Sequence, residues 1–385
     1  MKLYLCLFCL LLLNISWSSC SKDEDEIPYN YDCINAVTVF SSGEDGYATF
    51  RIPTIIIDDV GVIYAFAEGR VDNSSDWGNV DIVMKKSTDG GLSWGNIKVV
   101  KDIGRNKCGN ACPLYDKINN RIVMVWKYGK QGVTETTCRQ NKSHEGLKLC
   151  CTYSTDGGET WTNDANITKL IPDSVGFFSV GPVHGLQLTN NERNGRIIIP
   201  AYGILNDHYR SFTIYSDNGG KTWHTSNIIT DGNSGECVVT ELKNGELMLS
   251  QRYTTYRNRD KIRPYRLGSK SYDGGVSWTE TQKVELVDSK GCQASLITIR
   301  KDNNLTDTLL FSNPFDEEIR QNLTIHFSTD SGQTWDTLVT VYSGPSGYSD
   351  LVQLNDNEIG VLYEGGVFSY HESIKFARFS IHDMN

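Results

Sequence analysis

The sequence predicts an all-β protein of the six-bladed β-propeller class, and three observations carry that prediction. An octapeptide with Ser first, Asp or Asn third, Gly fifth and Trp last recurs five times, beginning at Ser87, Ser154, Ser216, Ser271 and Ser328. Successive copies begin 67, 62, 55 and 57 residues apart, too long for one hairpin and suited to a four-stranded sheet with its loops. From Thr38 to the C-terminus there are about 345 residues, which at a period of about 60 gives close to six such sheets. Composition agrees, because 35 Gly, 19 Tyr, 13 Phe and 8 Trp beside only 5 Met fit many short strands joined by tight turns.

Within each copy the Asp and Ser side chains should cap backbone amides of the turn, and the glycines should take positive φ. The Trp should pack beneath and pin the turn to its hairpin. The last sheet, with Leu351 to Leu354 and Ile359 to Tyr363, lacks a copy. Its closing strand is expected near Ala36 to Phe40, which removes a free edge. Residues 36–385 thus read as one domain without a linker.

Residues 1–20 read as a signal peptide: Lys2, an apolar stretch from Leu3 to Leu13, then Ser18-Ser19 before Cys20. The stretch is too short for a stable transmembrane helix. Residues 21–35 form an acidic and polar N-terminal segment. The small residues before Cys20, with the acidic run Lys22-Asp23-Glu24-Asp25-Glu26 after it, resemble a bacterial lipoprotein signal, in which Cys20 carries lipid and tethers the protein to a membrane. The alternative is ordinary secretion with Cys20 a spare thiol. Either places the protein outside the cytoplasm, and nothing in the sequence calls for more than a monomer. Beyond Cys20, Cys33, Cys108, Cys112, Cys138, Cys150, Cys151, Cys237 and Cys292 make an even set, read as disulfides or isolated core thiols; no zinc-like spacing accompanies them.

A formal charge of -10 argues against nucleic acid or anionic lipid as the main partner. Yet arginines recur beside small and turn residues, carboxylates fall in loops, and tyrosines sit among Gly and Ser. That pattern points to an anionic ligand in the central depression without naming a reaction.

The motifs name one by resemblance. The octapeptide resembles the Asp-box, or BNR repeat, of sialidases and other extracellular propellers, and the segment Phe50-Arg51-Ile52-Pro53 resembles the Phe/Tyr-Arg-Ile-Pro motif of bacterial-type exo-α-sialidases. The rest of that family's pattern follows in order. In Phe66-Ala-Glu-Gly-Arg70 and the loop reaching Asp76-Trp77-Gly78, the resemblance makes Arg70 a pocket residue and Asp76 the general acid, with Asp72 and Asp81 as competitors. Gly235-Glu236 and Gln251-Arg252 resemble the family's glutamate and second arginine, with Glu241 the alternative to Glu236. Ser312-Asn313-Pro314 leads to Arg320, the third arginine of the triad with Arg51 and Arg252. Gly347-Tyr348-Ser349-Asp350 resembles the nucleophile motif, and Tyr363-Glu364-Gly365 supplies the glutamate that orients Arg51. His184 and Cys112 are read as packing residues.

What the resemblance implies is removal of terminal sialic acid from sialylated glycans with retention, through a sialyl-tyrosine intermediate. Three arginine forks would grip the sugar carboxylate. Tyr348 would attack, with Glu236 taking its proton and Asp76 serving as acid and then base. No metal or organic cofactor enters. A trans-sialidase, or a sialic-acid-binding lectin on the same propeller, are the rival readings.

Overall fold

Each octapeptide folds as a turn closed by its own side chains. In a computed structural model that describes residues 34–162, 164–189, 191–254, 265–286 and 291–381, Ser154 Oγ accepts from the Gly158 amide at 2.8 Å and donates to Asp156 Oδ1 at 2.7 Å. Asp156 in turn accepts from Thr160 N at 2.9 Å. The pattern repeats around Ser87, Ser216, Ser271 and Ser328, and Asn218 replaces Asp without altering it, since its Oδ1 accepts from Thr222 N.

These turns punctuate four hydrogen-bonded sheets, of eight, five, four and seven strands, which the chain lays down as six successive units. After β1 (Ala36–Ser41), the first unit is β2 (Thr49–Ile57), β3 (Ile63–Arg70), β4 (Val80–Ser87) and β5 (Lys98–Lys101). The second is β6 (Lys107–Asp116), β7 (Arg121–Gly129), β8 (Leu147–Ser154) and β9 (Ala165–Asn166), with helix α1 (Glu135–Asn141) between β7 and β8. The third holds β10 (Val175–Val180), β11 (Leu186–Gln187), β12 (Ile197–Leu205), β13 (His208–Ser216) and β14 (His224–Thr225). The fourth is β15 (Ser234–Glu241), β16 (Leu247–Tyr253), β17 (Arg266–Ser271) and β18 (Gln282–Val284). The fifth is β19 (Ser295–Lys301), β20 (Asn304–Pro314), β21 (Gln321–Ser328) and the first part of β22 (Asp336–Asn355). The second part of β22, with β23 (Glu358–Gly365) and β24 (Ser373–Ser380), makes the sixth. Its fourth strand is β1, which pairs with β24 from Ala36↔Ala377 to Ser41↔Ser373, the closure expected from the sequence.

Consecutive units pack on one another, mostly through their leading strands: β2 on β6, β6 on β10, β12 and β13 on β15, β15 on β19, β19 on β22 and β22 on β2. The chain therefore closes on itself, and no unit is left with an unpacked neighbour.

One expectation changes, and one pair of alternatives is decided. The octapeptide Trp does not generally pin its own hairpin: Trp94 meets Phe376 of the sixth unit edge-on at 5.4 Å, Trp161 meets Phe66 of the first, and Trp278 Nε1 donates to Thr213 of the third at 3.0 Å. The turn is a clasp between neighbours. The fifth glycine position shows why: a Cβ on Gly158, at φ +79°, would lie 2.6 Å from Met84 Cε of the preceding unit. Among the cysteines, Cys108, Cys112, Cys138, Cys150, Cys151 and Cys237 are buried free thiols, so core packing rather than disulfide bonding is their role. The leader, the acidic run, Cys20 and Cys33 lie outside the described residues.

Ser154→Ala should remove two of the turn's hydrogen bonds and lower unfolding free energy by about 1–2 kcal/mol. Urea denaturation read by tryptophan fluorescence measures this, and an unchanged midpoint would contradict the clasp.

Candidate active site

A recurrent irregularity builds the site. Five leading strands break register with their neighbours at one end: β2 between Arg51 and Thr54, β6 between Gly109 and Cys112, β10 between Val175 and Phe177, β15 between Ser234 and Cys237, and β22 between Ser346 and Ser349. A bulge turns a side chain out of the alternating pattern, and here the bulges carry Arg51, Asn110, Glu236 and Tyr348 to one cavity of about 490 Å³. At the first bulge Ile52 takes φ +58°, a conformation costly for a β-branched residue; its amide donates to Glu364 Oε1 at 2.9 Å.

Seven of the eight residues singled out from the sequence line this cavity: Arg51, Arg70, Asp76, Glu236, Arg252, Arg320 and Tyr348. The eighth, Glu364, is fully buried behind Arg51. It accepts from Arg51 Nε at 2.6 Å and Nη2 at 3.1 Å, and from the Tyr348 amide at 3.0 Å. One carboxylate thus holds a triad arginine and the backbone of the tyrosine together.

Tyr348 is 7% exposed and packs with Ile52 and Cys292. Its hydroxyl donates to Glu236 Oε1 at 2.6 Å, while Arg252 Nη1 donates to Glu236 Oε2 at 2.6 Å and to the Tyr348 oxygen at 3.3 Å. Burial and then Glu236 push the phenol well above its usual value, against the pull of Arg252 and Arg320. The phenol is therefore neutral around pH 7, with a hydrogen-bond acceptor already in contact.

Asp76 lies on the rim, its side chain 66% exposed, with Oδ1 2.8 Å from Arg70 Nη2. Desolvation raises its carboxyl, but Arg70, Lys107 and Arg51 outweigh that and hold it at about 2. Its competitors are elsewhere: Asp81 is buried, accepts from the Tyr47 hydroxyl at 2.9 Å and does not line the cavity. Asp72 is exposed and outside it. Glu241, the alternative to Glu236, is buried and accepts from Thr189 N at 2.9 Å, away from the pocket. His184 is likewise away from it, 2.7 Å from Asp350 Oδ1.

A family model described as a BNR repeat-like domain matches residues 61–362. The chain belongs to the BNR repeat-like domain family. It is similar to a sialidase of Bacteroides fragilis, 31% identical over 86% of this chain and 62% of that protein. A sialidase of Micromonospora viridifaciens is 29% identical over 88% of this chain and 53% of its own length. The chain thus spans less than two thirds of both. Among solved structures, the Hadza microbial sialidase Hz136 superposes with a TM-score of 0.78 at 28% identity, covering 90% of this chain and 68% of that one. The family resemblance read from the motifs is borne out.

Sequence reasoning missed several members of this BNR-family pocket. Glu68, 1% exposed, accepts from Arg70 Nη2 at 2.8 Å and from the Asn110 amide at 2.9 Å, and lies 3.1 Å from Lys107 Nζ. Lys107 in turn donates to the Asp76 carbonyl at 2.8 Å, so Glu68 anchors the base of the loop that carries Asp76. Tyr370 faces Arg51 and Arg320, with their guanidinium carbons 5.3 and 5.6 Å from its ring centroid. Lys127, 2% exposed, is set among aromatic rings. Charges interrupting apolar strands, Ala-Phe-Ala-Glu68 and Met-Val-Trp-Lys127, were the available signals for two of them. Tyr370 lies in an irregular connection and gave none.

Proposed function

We propose that this protein is a retaining exo-sialidase whose six units are the blades of a β-propeller. The observation that carries the reading is the 2.6 Å contact of the Tyr348 hydroxyl with Glu236, in a cavity also lined by Arg51, Arg252 and Arg320. A sugar acid with its carboxylate on the anomeric carbon would put negative charge where a carboxylate nucleophile is repelled. A neutral phenol avoids that repulsion; tyrosine nucleophiles are among the recognised exceptions to the two-carboxylate rule.

In the proposed sequence the Tyr348 oxygen bonds to the anomeric carbon, Glu236 takes the phenol proton and the glycosidic bond breaks. Asp76 protonates the departing oxygen. Asp76 then takes a proton from water, the water oxygen attacks the anomeric carbon from the vacated face, and Tyr348 leaves with its proton returned by Glu236. Two displacements give net retention. A bound carboxylate offsets Arg51 and, by excluding water, adds to the desolvation of Asp76. Both effects raise its carboxyl from the low value that Arg70, Lys107 and Arg51 impose toward that of a working acid.

Release of 4-methylumbelliferone from its α-sialoside, with NMR of the first-formed sugar, tests the reading. Release with the α-anomer first is expected. The β-anomer first would rule out the tyrosine route, and no release by folded protein would favour a binding propeller.

A further inference from the structure

Lys127 is a pocket cation to which this mechanism gives no role. It sits on β7, lines the cavity, and holds its Nζ 5.0 Å from the Trp77 ring centroid and 4.8 Å from that of Phe177. The other cations of the pocket are anchored: Arg51 by Glu364, Arg70 and Lys107 by Glu68, Arg252 by Glu236, and Arg320 by the Gly291 carbonyl at 3.2 Å. Among the described residues the Lys127 ammonium meets no hydrogen-bond acceptor and no ion-pair partner. An ammonium has three donors, and its protein neighbours here are ring faces, which attract the charge but accept no hydrogen bond in the usual sense. A ligand that offers an oxygen in the cavity gains a charge-assisted hydrogen bond, whereas one that offers only methyl groups displaces solvent from the ammonium without replacing it.

Resting on the sialidase reading, we propose that Lys127 is a specificity residue, whose ammonium donates to a substituent hydroxyl of the sugar other than the anomeric carboxylate held by the arginines. Two sources fit that chemistry: the hydroxylated three-carbon tail, and a hydroxylated N-acyl group.

A pH dependence follows from the surroundings. Burial and Lys107, from β6, bring Lys127 down to about 7, against the opposing charges of Glu68 from β3, Glu135 from α1 and Asp76 from the rim loop. Two further titratable groups, the phenols of Tyr202 and Tyr209, line the same cavity; burial raises both, so they stay neutral in this range. His371 is held below its usual value by burial and Arg51, and so titrates at lower pH than Lys127. The ammonium is present below its titration point and lost above it. Substrate, by adding an acceptor and a negative charge, raises that point in the complex. KM should therefore be low in mild acid and rise as pH passes upward through neutrality, while the triad arginines stay charged throughout.

The test measures KM between pH 5 and 9 with three aryl α-sialosides: N-acetyl with the full tail, N-acetyl with the tail cut to one carbon, and N-glycolyl with the full tail. Wild type is compared with Lys127→Met and Lys127→Arg. For the substrate bearing the hydroxyl that Lys127 engages, the wild-type KM should rise about ten-fold across neutrality. Lys127→Met should hold the high value at every pH, with the loss in KM rather than kcat. Lys127→Arg, charged throughout, should keep KM low in alkali. Loss of the rise on cutting the tail assigns the tail; a rise confined to the N-glycolyl substrate assigns the acyl group. The same rise persisting in Lys127→Met, or an equal penalty on all three substrates, overturns the proposal while leaving the sialidase reading intact. No release from any substrate by wild type overturns both.

Discussion

Tyr348→Phe should lower kcat by about three orders of magnitude, some 4 kcal/mol of barrier, with little change in KM. The substitution removes one oxygen. The ring still packs with Ile52 and Cys292, and Arg51, Arg252 and Arg320 still line the cavity, so substrate binding should persist. What disappears is the atom that, in the proposed mechanism, bonds to the anomeric carbon, and with it the contact to Glu236, 2.6 Å away. Without them the bound sugar must be attacked by water directly, from a face where the retained phenyl ring leaves no room for a placed nucleophile. Mass spectrometry after exposure to a fluorinated sialyl fluoride checks the cause: wild type should gain a sialyl adduct on Tyr348, and the variant none. Turnover within ten-fold of wild type would sink the assignment.

Much of this site was legible because its parts carry sequence signals independent of the fold. Tyr348 stands between Gly347 and Ser349, Arg51 before Ile52-Pro53, and Arg320 after Ser312-Asn313-Pro314. Such settings mark places where backbone irregularity presents a side chain, and register breaks are what the structure places near Arg51 and Tyr348. The repeat period of this all-β chain was legible for the same reason, since each octapeptide satisfies its turn internally. The illegible part is relational. The octapeptide tryptophans bridge neighbouring units because a preceding sheet lies within reach, and no local pattern encodes which residue they meet. Glu68 serves Arg70, Lys107 and the Asn110 amide together, a role that exists only once three strands converge. The cysteines invited a disulfide reading from their even number, yet six of them are spent singly in the interior.

Glu364→Gln should cost both stability and rate, and the reason lies in its four donors. Oε1 accepts from Arg51 Nε and the Ile52 amide, while Oε2 accepts from Arg51 Nη2 and the Tyr348 amide. Whichever oxygen becomes an amide nitrogen, two donors then face a donor, and a buried guanidinium loses its counter-charge. Breaking a buried pair from one side costs about 3–5 kcal/mol, most of it from the stranded charge. The urea midpoint should fall accordingly, and Arg51→Met in the same chain should restore part of it, because removing both partners removes the conflict. Affinity is pulled two ways: a more positive pocket favours an anionic sugar, while a loosened Arg51 grips it less well. KM should move little. The rate has no such compensation, since the new clash shifts either the Tyr348 amide or the Ile52 and Arg51 groups packed beside it, and a displacement of about 1 Å in the tyrosine oxygen is worth roughly a hundred-fold in kcat. A wild-type midpoint in Glu364→Gln would mean that Arg51 finds another partner, and a wild-type kcat would mean that Tyr348 is held by its strand alone.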